Sequence, residues 1–355
     1  MTYLRNAWYM AAWADEVGDK PLARTLLDEP VVIYRDADGA PHALFDRCPH
    51  RFAPLSMGRV ADKVVTCAYH GLAFGADGAC VHNPHGPISK ALAVRSYPVV
   101  DAHRAIWIWM GDPAAADPAA VRDLAFLADA PDTAFNKGYI HGSGHYQLFV
   151  DNILDLSHTD YLHPDTLGGG SITRTTAQVE ERPDGSIFVA WRPMNETPIP
   201  LVAARFLEGT RVDSWTEVEW SAPGVMKLVN GAVPAGEPRA NGGNAINVHI
   251  FTPETASTTH YFFASTRDFR LDDAAYNEDV RKVRAQIFAT EDEPMIAAQQ
   301  SRIGEADFWS LRPALLKIDQ GAVLVRRRMD KMIAAEQAPV PSDGTRPGSQ
   351  TADVV

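Results

Sequence analysis

The sequence predicts an α+β protein in two unequal parts: an all-β front module and a larger rear module that mixes strands with helices. Three observations carry this reading. Short apolar runs broken by Asp-Gly turns fill the first third of the chain. Further strand-like runs follow residue 186, and stretches with an apolar period of three and four lie from residue 150 onward. Gly111-Asp112-Pro113 is a stop signal, and the Ala-, Pro- and Asp-rich stretch after it reads as a connection. The expected domains are therefore 1–112 and 113–337, followed by a Pro-, Ser-, Gly- and Thr-rich tail, 338–355, expected to be disordered.

Within the front module, Val31 to Tyr34 and His42 to Phe45 flank Asp38-Gly39 as a hairpin. Leu72 to Phe74 and Ala79 to Val81 flank Asp77-Gly78 in the same way, and Ala105 to Met110 reads as a buried strand. In the rear module, Val150 to Leu156 has a short-helix pattern and Gly168 to Gly170 is a flexible break. Ile187 to Trp191, Thr216 to Trp220, Ile246 to Phe251 and Tyr261 to Ser265 are strand candidates. Asp272 and Asp273 suit the cap of a long helix carrying Val280, Val283 and Ile287, and a last helix covers Ala322 to Glu336.

Composition narrows the function. The chain of 355 residues carries a net charge of −12, which argues against nucleic-acid binding and against docking on an anionic membrane. Hydrophobic residues make up 46% and charged residues 22%, enough for a sizeable core. No apolar run approaches the roughly 18 residues a membrane span needs. Asp15, Glu16 and Asp19 make the N-terminus unlike a secretory signal. Three cysteines, Cys48, Cys67 and Cys80, do not suggest a disulfide framework. A cytoplasmic protein with reduced or metal-bound thiols is expected.

The strongest motif is Cys48-Pro49-His50, sixteen residues, then Cys67-Ala68-Tyr69-His70. Two thiolates and two imidazoles on two loops can bind metal. Zinc accepts such a set, so ligand identity alone leaves it open. Each loop gives one Cys and one His, which suits a two-iron cluster with both cysteines on one iron and both histidines on the other: the Rieske [2Fe–2S] arrangement. Arg51, Gly58 and Gly71 sit where loop N–H groups would approach cluster sulfurs. Cys80, His82 and His85 fall outside the pattern and read as loop and core packing.

A second constellation follows. Asn152, Asp155 and His158 fall at i, i+3 and i+6, on one face if the stretch is helical, and His163 is five residues beyond His158. Five residues turn too far round a helix to share one metal. Pro164 disfavours helix at His163, so the chain can unwind there and swing the ring back. Two histidines and a carboxylate make a non-haem Fe(II) site with open positions. Asp160 and Asp165 are nearby candidates for the carboxylate.

The stretches Cys48 to Gly71 and Asp151 to His163 resemble the Rieske non-haem iron oxygenases. The resemblance covers about residues 3–336 and includes Arg5 to Tyr9, Trp107-Ile108-Trp109, and Thr252-Pro253-Glu254. It is nearest to the branch of vanillate O-demethylase and dicamba monooxygenase. It implies a helix-grip catalytic domain: an antiparallel sheet flanked by helices. It points to Glu291-Asp292-Glu293 for the carboxylate, with Asp292 as the expected ligand and Pro294 distorting the helix. It implies that Asp155 links His158 to His70 of a neighbouring subunit in a homotrimer, that Asn152 sits by the iron without ligating it, and that His249 contacts substrate. Val283 stands where some relatives carry an aromatic residue.

The expected function is that of a terminal oxygenase. O₂-dependent hydroxylation of a methoxy carbon would release formaldehyde and a phenol from a methoxylated aromatic acid. The chain has no evident nucleotide site, so NAD(P)H electrons are expected from a separate flavin and iron–sulfur reductase. The alternatives are ring hydroxylation or N- or other demethylation of another aromatic, and a Rieske electron carrier without oxygenase chemistry. The basic run Arg326 to Arg328 reads as a solvated helix face, or else a docking patch for an acidic reductase.

Overall fold

The computed structural model describes residues 3–18, 20–203 and 205–338; the expected tail, apart from Ala338, lies outside them. Three small antiparallel sheets make up the front. Trp8–Trp13, Ala105–Trp109 and Val99–Ala102 form one; Leu22–Leu26, Glu29–Arg35, Pro41–Phe45 and Ser96–Tyr97 form the second. The third, Arg59–Ala61, Val64–Thr66, Ala73–Phe74 and Cys80–His82, carries the second Cys/His loop. Both Asp-Gly hairpins form as the sequence predicts, with Gly39 at φ 82° and Gly78 at φ 80°.

The rear is one seven-stranded antiparallel sheet in the order Asn136–Gly142, Thr259–Arg267, Asn244–Pro253, Val225–Pro234, Val212–Ser221, Ile187–Trp191, Gln178–Glu181. The expected strands are extended by their neighbours. Asn136–Gly142 and Val225–Pro234 escaped the sequence reading because glycine interrupts both. The interruptions are steric: a Cβ at Gly138 would lie 2.1 Å from Phe263 Cζ, and one at Gly142 would lie 2.3 Å from Phe149 Cζ.

Helix Tyr146–Leu154 lies against this sheet. Phe149 packs on Phe251 at 5.6 Å between ring centroids, and Tyr261 packs on Phe288 at 4.3 Å. The helix starts four residues earlier than expected and stops at Leu154, because Asp155 is extended (φ −122°, ψ 91°). Asn152, Asp155 and His158 therefore do not share one continuous helical face. Asp273 caps helix Ala274–Ile287 by accepting the Tyr276 N–H. A π-helical turn, Phe288–Asp292, joins it to helix Glu293–Ile303, with Pro294 in the first turn of the latter. Helix Gln320–Gln337 completes the rear.

Front and rear share one apolar core and main-chain bonds. The Leu27 N–H donates to the Pro253 carbonyl at 2.9 Å, and the Thr252 hydroxyl donates to the Met10 carbonyl at 2.7 Å. The Arg326–Arg328 run is not a solvated face. Arg326 is 4% exposed and forks onto Asp151 and Gln147, and Arg328 pairs with Glu181; only Arg327 is exposed.

Candidate metal centres

The two Cys/His loops are built alike. Cys48 N–H donates to Ala53 O at 2.9 Å and Phe52 N–H returns to Cys48 O at 2.9 Å. In the other loop Cys67 N–H donates to Leu72 O at 2.8 Å and Gly71 N–H returns to Cys67 O at 3.1 Å. The fourth residue after each cysteine has positive φ: Phe52 at 60° and Gly71 at 74°. A bulky residue held there marks a loop whose shape is imposed by its surroundings. Both cysteines are 2% exposed, whereas His50 is exposed and His70 half-buried, with ring centroids 4.6 Å apart. Burial pushes the Cys48 thiol up, offset in part by the N–H groups of His50 and Arg51, while Cys67 beside it raises it further. Arg51 thus donates near a sulfur as expected. Gly58 and Gly71 do not: their N–H groups go to Leu55 O and Cys67 O. Gly58 is needed for space, since a Cβ would lie 2.2 Å from Thr66 O.

A single tetrahedral zinc needs four donors within about 4 Å of one another. Among the described residues, the group of three or more such donors within 4.8 Å of one another is His158, His163 and Asp292, so the four loop side chains do not converge on one ion. Sulfurs inside and imidazoles outside fit a two-iron cluster. Cys80 is buried against the His82 carbonyl, and His85 donates its ring N–H to the His70 carbonyl at 2.9 Å, bracing the loop.

In the rear, the chain leaves the helix at Leu154, makes a 3-10 turn at Leu156–His158 and a short helix Thr159–Leu162, and unwinds at His163 (φ −121°, ψ 46°). That bend brings His158 and His163 to one point. Both rings are held from behind. His158 Nδ1–H donates to the Asp155 carbonyl at 2.5 Å, and His163 Nδ1–H donates to Glu291 Oε2 at 2.6 Å. Both Nε2 atoms face Asp292 Oδ1, at 3.4 and 3.1 Å. The π turn swings Asp292 inward, where it is 3% exposed. Asn152 donates to the same oxygen at 2.9 Å. Metal bonds of about 2.1 Å at right angles put neighbouring donors about 3.0 Å apart, so these separations fit a two-histidine, one-carboxylate face. Burial opposes ionisation of Asp292, but hydrogen bonds from His158, His163 and Asn152 outweigh it and hold the carboxyl well below the usual carboxylate range.

The structure sets aside the other acids. Asp165 is exposed, and Asp160 accepts the N–H groups of Gly169, Gly170 and Thr173, so the glycine break is pinned. Sequence reasoning missed the role of Glu291 behind His163, although it lies next to Asp292. The Asp155 carboxylate accepts the Ser157 N–H at 2.9 Å; it is the main-chain carbonyl that holds His158.

The triad opens onto a cavity of about 230 Å³ between the sheet and helix Ala274–Ile287. It has room for one substituted ring, where drug-sized ligands take about 300–1,000 Å³. His249 lines it, with Nδ1 2.7 Å from the Tyr261 hydroxyl. Burial, then Arg284, depress His249 to about 3, so the ring is neutral. Among the described residues no helix is long and apolar enough to cross a membrane.

Comparison with known proteins agrees with this geometry. Residues 7–98 match the Rieske [2Fe-2S] domain and residues 143–335 match the vanillate O-demethylase oxygenase C-terminal domain. The chain is 41% identical to the dicamba O-demethylase oxygenase component of Stenotrophomonas maltophilia, over 95% of this chain and 100% of that one. It is 39% identical to the chloroacetanilide N-alkylformylase oxygenase component of Rhizorhabdus wittichii, over 95% and 97%. A crystal structure of dicamba monooxygenase bound to dicamba superposes with a TM-score of 0.87 at 39% identity, covering 95% of this chain and 99% of that one. The chain therefore belongs to the vanillate O-demethylase oxygenase family: it is the oxygenase component of a Rieske monooxygenase, with a [2Fe–2S] cluster and a non-haem iron as its metals.

Proposed function

We propose that the chain oxidises the methoxy carbon of a one-ring aromatic acid, releasing formaldehyde and a phenol. The observation that carries this is the two-histidine, one-carboxylate face opening onto a cavity sized for a single ring. Relatives named for demethylating dicamba and for attacking a chloroacetanilide side chain support dealkylation over ring attack. Because the second acts at nitrogen by its name, N-dealkylation is the runner-up.

Residues 1–112 would hold the cluster through Cys48, His50, Cys67 and His70, and residues 113–337 the iron through His158, His163 and Asp292. When bound, the cluster and the iron together supply the two electrons that O₂ activation needs. The protein's own part is positioning. Glu291 and the Asp155 carbonyl fix both histidine tautomers with Nε2 toward the metal, and Asn152 steadies Asp292. The Tyr261 hydroxyl, kept protonated by burial, donates to His249 Nδ1 and leaves Nε2–H for a substrate oxygen.

Electrons would come from NAD(P)H through a separate flavin and iron–sulfur reductase, in the cytoplasm. We assign the working form as a homotrimer in which Asp155 meets His70 of the next subunit. Support comes from the outward-facing His50 and half-buried His70, with the Tyr69 ring centroid 3.9 Å from that of His70, and from the exposed apolar side chains Phe52, Met57 and Tyr69 in the same stretch of chain, 68%, 74% and 62% exposed. The test is a panel of methoxybenzoates with reductase, following formaldehyde and O₂. Formaldehyde matching O₂ uptake is expected; ring-hydroxylated products without formaldehyde would overturn it.

A further inference from the structure

Helix Ala274–Ile287 and the π turn after it present Val280, Arg284, Ile287 and Phe288 to the cavity. These fall at i, i+4, i+7 and i+8, the apolar stripe of an amphipathic helix. Three of the four are apolar; the other is an arginine. A cation in an apolar wall is costly unless an anion answers it.

No anion of the protein does. Among the described residues no carboxylate lies within 4.0 Å of the Arg284 guanidinium and none of its N–H groups finds an acceptor; Nη1 is sealed from solvent and unpartnered. Two arginines buried more deeply than the half-buried Arg284 are answered by partners. Arg326 forks onto Asp151, and Arg267 donates to Asn277 and to the carbonyls of Thr133, Arg270 and Asp273. Arg205, which also lines the cavity, spends its guanidinium over the Phe269 ring at 4.3 Å. Burial holds Arg284 below the ordinary arginine range. Its charge adds to burial in holding His249 down and opposes the larger upward effect of burial on Tyr261.

We propose that Arg284 is the substrate's anion anchor: its free guanidinium receives the oxyanion of a ring-borne carboxylate or sulfonate, setting which end of the ring faces His158, His163 and Asp292. This deepens the oxygenase reading and rests on it. A guanidinium gives two parallel N–H groups to such a head group, so it fixes the ring's direction as well as its affinity. The ligand supplies the charge that the folded protein lacks. An acid is then favoured over its neutral amide by the ion pair it makes with Arg284.

The test is titration calorimetry on the anaerobic, metal-loaded protein with 3-methoxybenzoate, 4-toluenesulfonate and neutral 3-methoxybenzamide. Wild type is expected to bind at least one acid about 30-fold or more tighter than the amide, and Arg284→Met to lose that preference while binding the amide within about threefold of wild type. Whichever acid binds tighter identifies the head group. Arg284→Met without ligand should also melt higher than wild type, because it removes a half-buried charge with no anion to answer it; a structural arginine would give the opposite shift. Equal binding of acids and amide by wild type, an undiminished preference in Arg284→Met, or a lower melting temperature would each overturn the assignment. O₂ uptake with reductase on the same compounds tests the parent reading separately. Absence of turnover with all three would count against the parent reading, while the calorimetric preference would still decide on Arg284.

Discussion

Glu291→Gln isolates the support behind one histidine. In the folded protein His163 is 1% exposed, and its Nδ1–H donates to Glu291 Oε2 at 2.6 Å, a short charge-assisted bond. That bond keeps the ring proton on Nδ1, so that in the metal-bound state Nε2 presents its lone pair where Asp292 and His158 converge. Removing the partner behind a metal-bound histidine typically costs 10- to 100-fold in metal affinity, about 1.4–2.7 kcal/mol. Glutamine keeps a neutral acceptor at the same reach, so Glu291→Gln should fall near tenfold. Glu291→Ala leaves a buried ring donor unpaired, worth a further ~1–3 kcal/mol, and should reach 100-fold or more. Anaerobic Fe(II) competition against a chelator measures both, with the cluster's visible absorbance confirming an intact front module. Unchanged affinity in Glu291→Gln would refute the argument. Complete loss in Glu291→Gln, with Asp292→Asn within tenfold of wild type, would make Glu291 the ligand instead.

Four further outcomes are expected of this protein. Asp155→Asn should keep both metals, because the backbone carbonyl holds His158, yet cut product formation at least about a hundredfold if the carboxylate carries the intersubunit link; normal turnover would remove that link. Cys67→Ser should lose the cluster's visible absorbance, and a retained spectrum would rule out Cys67 as a ligand. Arg326→Met should cost about 2–4 kcal/mol in urea unfolding, since it strands Asp151, whose carboxyl burial already pushes up despite the arginine; a change below about 0.5 kcal/mol would show the pair to be decorative. His145 and His249 are both depressed to about 3, chiefly by burial, so between that value and about 6.5 the unfolded chain holds more protons. Stability should therefore fall on acidification through that window by up to about 1.4 kcal/mol per pH unit for each ring. His249→Gln should flatten the slope by one proton's worth, and an unaltered slope would contradict it.

Much of the chemistry was legible in the chain itself. Cys48, His50, Cys67 and His70 are close in sequence because tight loops present them, and Pro164 marks where the helix must end. Local rules sufficed there: turn residues, capping by Asp273 and the bar on helix before proline each act within a few residues. They misplaced the helix near the iron, because Asp155 turns extended for reasons of packing and capping that no periodicity records.

What the sequence alone pointed to is that two metal sites exist, with Cys48, His50, Cys67, His70, His158 and His163 as their candidate ligands. Tertiary structure decided which carboxylate joins His158 and His163, since Asp292 is distant in sequence and only the π turn aims it inward. It also decided that Asp160 serves a loop, that Glu291 stands behind His163, and that Arg284 faces a cavity rather than solvent. The Asp292, Glu291 and Arg284 placements depend on how the helix and π turn of residues 274–292 pack in the rear module, and residue spacing holds no information about that distance.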